Sequence, residues 1–108
     1  MNDLWLELRE KTRQLDMSTK MLRKSGDDYA LAERDYKILL RQEALKLRDQ
    51  GTAVGLINMI VYGIPEVARA RFKRDAAQNL YNANQEAINT LKLEIRILDS
   101  QIEREWHA

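Results

Sequence analysis

The chain has 108 residues, 44% hydrophobic and 32% charged, enough for one small domain and too mixed in composition for a disordered tail. Lys and Arg number 18 and Asp and Glu 17, a formal net charge of +1, so bulk charge marks neither a nucleic-acid binder nor a membrane binder. The absence of cysteine excludes disulfides and thiolate metal sites, and one proline with four glycines favours long helices over a turn-rich β fold.

The opening residues, Met1-Asn2-Asp3-Leu4-Trp5, have neither a basic n-region nor an apolar h-region, so no signal peptide is expected. Residues 3–24 are predicted helical. Trp5, Leu8, Leu15 and Leu22 follow a seven-residue stripe, Thr12 and Thr19 fill weaker sites, and Leu4, Met17 and Met21 broaden the apolar face. Asp3 is placed to cap the start. Ser25-Gly26-Asp27-Asp28 then reads as a break, with Gly ending one helix and Asp capping the next; the alternative is a kink in one continuous helix.

A second helix is predicted over 28–50, with Ala32, Tyr36, Leu39, Leu40 and Leu47 on its apolar face. Gly51 ends it and Thr52 is placed to cap the next helix. Residues 53–62, Ala-Val-Gly-Leu-Ile-Asn-Met-Ile-Val-Tyr, are apolar almost all round and are expected to be buried or in an interface. One reading is a short helix closing the end of a hairpin. The other is a partner-docking patch of Leu56, Ile57, Met59, Ile60 and Tyr62. The longest apolar stretch, 54–64, is too short to span a bilayer, and no Lys or Arg within it favours a membrane-surface helix. A soluble protein of a reducing cytoplasm, with no membrane association, is the expectation.

Gly63-Ile64-Pro65-Glu66 is a stop and then a start, with Pro65 suited to the first helical position and Glu66 to the positive end of the helix dipole. The last helix is predicted to run from 65 to about 106, about 60 Å at 1.5 Å per residue. Its heptad seam is Tyr81, Asn84, Ile88, Leu91, Ile95, Leu98 and Ile102. Upstream the stripe weakens to Val67, Ala70, Arg74 and Ala77. Asn84 either fixes register through a buried hydrogen bond or faces solvent. Leu93 and Ile97 add a second apolar face, which points to a homo-oligomer, most simply a dimer. These elements predict a single all-α domain, an elongated antiparallel helical hairpin or coiled-coil bundle with one long C-terminal helix.

Chemistry is sparse. The one histidine, His107, is next to last, and carboxylates such as Glu94, Asp99, Glu103 and Glu105 alternate with cations as solvated helix faces do. No Glu-x-x-His, phosphate loop or nucleophile elbow occurs, so no catalytic residue, metal site or cofactor is expected. The run Arg69-Ala70-Arg71-Phe72-Lys73-Arg74 places four cations in six residues, and Arg69, Arg71, Lys73 and Arg74 could meet phosphates. Gly51-Thr52, Leu56-Ile57, Gly63-Ile64 and Val67-Ala68-Arg69 echo a helix-turn-helix, with the turn glycine about one residue late. Against this stands a solvated face trimmed by Glu66 and Asp75.

Several stretches carry a resemblance. They are Ala32-Glu33-Arg34-Asp35-Tyr36, Leu47-Arg48 before Gly51-Thr52, Arg71-Phe72-Lys73-Arg74-Asp75, Glu86-Ala87-Ile88-Asn89, Ile95-Arg96-Ile97-Leu98 and the ending Gln101-Ile102-Glu103-Arg104-Glu105-Trp106. From about Tyr29 onward the chain resembles a group of small, mostly uncharacterised helical proteins carried by bacteriophages and prophages. The resemblance implies a phage origin, a bacterial cytoplasm and a setting near replication or recombination genes, and it supplies no catalytic residues. The chain departs from the group at Ile60-Val61-Tyr62, which is unusually apolar. Two functions are expected: a non-enzymatic oligomeric adaptor or modulator of a protein partner, and a DNA- or single-strand-binding accessory using residues 69–74.

Overall fold

The computed structural model describes residues 2–107. They form three α-helices and no strand: α1 (Asn2–Asp49), α2 (Val54–Val61) and α3 (Pro65–His107). The all-α hairpin class and the long last helix expected from the heptads are both present. Contacts group the chain into two compact units. One joins Met1–Ser25 with Tyr81–Ala108; the other is Gly26–Leu80.

The break expected at Ser25–Asp28 does not occur, and the two helices expected over 3–24 and 28–50 are one. Ser25 is only 4% exposed, and its hydroxyl donates to the Leu22 carbonyl at 3.0 Å within the helix. Asp27 and Asp28 lie on the exposed side and interrupt nothing. The decisive pattern is the stripe itself. Leu4, Leu8, Lys11, Leu15, Ser18, Leu22, Ser25, Tyr29, Ala32 and Tyr36 are all at least half-buried, and their spacing alternates four and three without slipping at Gly26. A helix interior tolerates one glycine at roughly 1 kcal/mol, and tertiary packing outweighs that cost.

In the first unit the two segments run antiparallel. Lys11 Nζ meets a Glu94 carboxylate oxygen at 2.6 Å, and Asn84 Nδ2 donates to Ser25 Oγ at 2.9 Å, so position rises along α1 as it falls along α3. Of the expected seam, Ile88, Leu91, Leu98 and Ile102 are buried, and Tyr81, Asn84 and Ile95 are half-buried. Burying a side chain of this size is worth about 1.5–3 kcal/mol. The α1 side of the contact corrects the expected stripe: Leu4, not Trp5, starts it. Trp5, Thr12 and Thr19 are exposed, and the two threonine hydroxyls donate to the carbonyls of Leu8 and Leu15, each at 2.8 Å. Asp3 lies inside the first turn, where its charge suits the dipole, and is not the cap.

The second unit centres on Tyr36, Val61 and Val67, with Leu39, Leu40, Ala44, Leu47, Ile64 and Ala70 packed around them. Val67 is fully buried. α1 ends in a Schellman turn: Thr52 N–H donates to the Leu47 carbonyl and Gly51 N–H to the Arg48 carbonyl, both at 3.0 Å, with Gly51 at φ 88°. Thr52 is spent on that turn and does not cap α2. The N-cap position of α2 is Ala53, without a side-chain bond, so α2 starts one residue later than expected. Pro65 opens α3 as expected.

Candidate interaction surface

α2 carries no charged residue, and of its side chains only Val61 is buried. That burial holds the helix onto the Tyr36–Val67 cluster by one edge. The remaining circumference is open. Of the expected docking patch, Leu56, Met59, Ile60 and Tyr62 are exposed and Ile57 is half-buried. Met59 is 77% exposed. The sequence reading missed Val54, which is 78% exposed and extends the patch to the start of the helix. This short helix closes the turn between α1 and α3, as the first reading of 53–62 has it, but it is mostly exposed rather than buried, because only Val61 reaches the core. Contiguous apolar exposure rimmed by polar residues is the ordinary signature of a contact surface.

The basic run at 69–74 is largely committed within its own unit. Arg69 Nη2 lies 3.2 Å from a Glu66 carboxylate oxygen. The Arg71 guanidinium sits 5.5 Å from the centre of the Tyr62 ring. Arg74 donates from Nε to Asp75 at 2.8 Å and covers the buried Tyr36 ring at 4.7 Å, with its own side chain mostly buried. Arg74 therefore belongs to the packing seam rather than to a phosphate-facing row. Lys73 and the neighbouring Phe72 are exposed. The helix-turn-helix echo fares similarly: Val67 is interior, and Arg69 turns back to Glu66.

The seam Tyr81, Asn84, Ile88, Leu91, Ile95, Leu98 and Ile102 is closed by α1 within a single chain, so it does not itself require a second copy. What stays outside it is apolar as well. Leu93 and Ile97 are 53% and 49% exposed, and Leu31, Ile38 and Leu45 form an exposed stripe on α1 at seven-residue spacing. The sequence reading did not name that stripe; its strict period was the available signal. No described group of three or more His, Cys, Asp or Glu side chains is placed to hold a metal ion, and no helix of the described residues is long and apolar enough to cross a membrane.

Among family models, curated proteins and solved structures, none matches this chain.

Proposed function

We propose that this chain is a non-enzymatic helical interaction protein of a bacteriophage or prophage, acting in the bacterial cytoplasm as an oligomeric adaptor or modulator of a protein partner. The observation that carries this reading is α2, an uncharged helix that buries Val61 and leaves Val54, Leu56, Met59 and Ile60 in the open. Burying that surface in a complex returns about 25 cal/mol per Å² of apolar area, the general driving force of protein association. The alternative, a DNA-binding accessory working through Arg69, Arg71, Lys73 and Arg74, has weaker support, because three of those four cations already have partners in their own unit.

The test is a photo-crosslinking residue placed at Met59 in the full chain expressed in bacterial cells, with Lys92 as the control position. A discrete adduct at position 59, to a second copy or to another protein, that is absent at position 92 is expected. No adduct at position 59 overturns the adaptor reading.

A further inference from the structure

The depression beside α2 has a chemical polarity that the exposed patch lacks. It runs between residues 37–48 of α1 and the flank of α2, in two parts of about 360 and 420 Å³. These volumes lie at the lower edge of small-molecule sites, and each part is open, so they suit side chains presented by a partner better than a cofactor. The α1 wall carries Lys37, Arg41 and Arg48, and no carboxylate lines either part. Glu43, the acid nearest in sequence to Arg41, is tied to Lys46 at 3.1 Å, and Glu33 approaches only Lys37, at 3.5 Å. No described residue forms an ion pair with Arg41 or Arg48. The opposite wall, with Val54 and Ile57, is uncharged, and Leu45 gives an apolar rim.

Spacing sharpens the match. Lys37, Arg41 and Arg48 stand four and seven residues apart, so they share one edge of α1 over roughly 16 Å at 1.5 Å per residue. A helix laid along this edge would meet cations on one side and aliphatic carbons on the other. We infer that the groove between α1 and α2 binds an acidic amphipathic helix of a protein partner, with carboxylates facing Lys37, Arg41 and Arg48 and leucine-type side chains against Val54 and Ile57. This inference rests on the adaptor reading of α2 and adds the chemistry of the partner. A basic helix is rejected by the same three cations, since like charges brought together across an interface repel. A phosphate backbone has nothing to place against the aliphatic wall, and a flat lipid surface does not fill a recess.

The probe is a fluorescein-labelled synthetic helix of three to four turns, with leucines at alternating three- and four-residue spacing and glutamates along one flank. Its anisotropy is measured against the purified full chain. Two further peptides carry Lys for Glu, or Gln for Leu. The glutamate peptide is expected to bind at least about tenfold more tightly than either of the others. Arg41→Glu with Arg48→Glu is expected to weaken it by about tenfold or more and to bring the lysine peptide up. Both side chains are exposed, so the far-UV spectrum should not change. The milder pair Arg41→Gln and Arg48→Gln should fall between. Equal binding of glutamate and lysine peptides, indifference to charge reversal, or no binding at all overturns the inference. So does tighter binding to phosphatidylglycerol vesicles or duplex DNA that is lost in the same variants. A specific adduct at Met59 without peptide binding would leave the adaptor reading standing while this inference falls.

Discussion

Two side chains in the seam carry more than their heptad letters suggest. Asn84 donates to the hydroxyl of Ser25, a residue buried enough that water cannot readily replace it. Asn84→Ala should destabilise the fold by about 1 kcal/mol, read as a lower urea midpoint at unchanged m-value. Arg74 lies over Tyr36 with its stem packed, so Arg74→Ala should cost about 1–2 kcal/mol, whereas Lys73→Ala beside it should stay within about 0.5 kcal/mol. The sequence marked both seam positions as polar exceptions, because a heptad shows where a side chain points. It could not show that Ser25 and Tyr36 wait opposite them, since that depends on which helix turns pair across a reversal dozens of residues away. On the surface, Arg13 donates to Glu10 at 2.6 Å and, with Gln14, holds that carboxyl down at about 2 from an ordinary 4.5. Its stabilising effect is fully present above 4.5 and lost as pH falls from there to about 2. Lys11 is shifted the other way by Glu94, so its contribution is intact below 10.5 and disappears only above the raised value. A carboxyl NMR titration should find Glu10 still ionised when ordinary glutamates are half protonated.

At the scale of elements, glycine has opposite consequences at two neighbouring sites. Gly51 is left-handed and closes α1; nothing lies within 4 Å of the position a Cβ would take, yet the backbone itself disfavours one. Gly51→Ala should therefore cost about 1–2 kcal/mol. Gly55 sits in α2 with equal room and ordinary φ, so Gly55→Ala should stabilise by up to about 1 kcal/mol. Paired thermal melts should show Tm moving down for the first and up for the second. In the seam, Leu98→Ala should cost about 2–5 kcal/mol, the range for a large-to-small change in a packed core. The helix ends at 51 and 65 were legible because Gly and Pro act there through backbone geometry alone. The false break at 25–28 came from weighing Gly26 by local propensity. Tracking the four–three spacing from Leu22 through Ser25 and Tyr29 to Ala32 would have carried the helix through it.

For the whole molecule, the apolar side chains left outside the seam bear on association. Leu93 and Ile97 on α3 are half exposed, as is the Leu31–Ile38–Leu45 stripe on α1. A helix pair has only one seam to close, so a second apolar face on either helix has no intrachain use. Light scattering at micromolar concentration should give a mass above the 12.7 kDa of one chain. Leu93→Glu with Ile97→Glu should return it toward that value without lowering helix content. A single 12.7 kDa species in the unaltered protein would refute self-association. The apolar character of α2 was legible as composition. Its exposure was not, because the sequence does not say whether a short apolar helix is tucked under its neighbours or held by one edge.

The unbroken phase of α1 also restricts how the gene can change length. Inserting a single codon between Leu4 and Leu47 would turn every later seam position by about 100°, whereas three or four codons, close to one turn, would leave it about 40–60° off. Insertions of seven nearly restore the phase, but the pairing of turns across the hairpin is kept only if α3 lengthens to match. Length variation should therefore gather in the connections at 50–53 and 62–64, and a library of random in-frame insertions selected for soluble expression should recover far fewer of one or two codons inside α1 than in those connections.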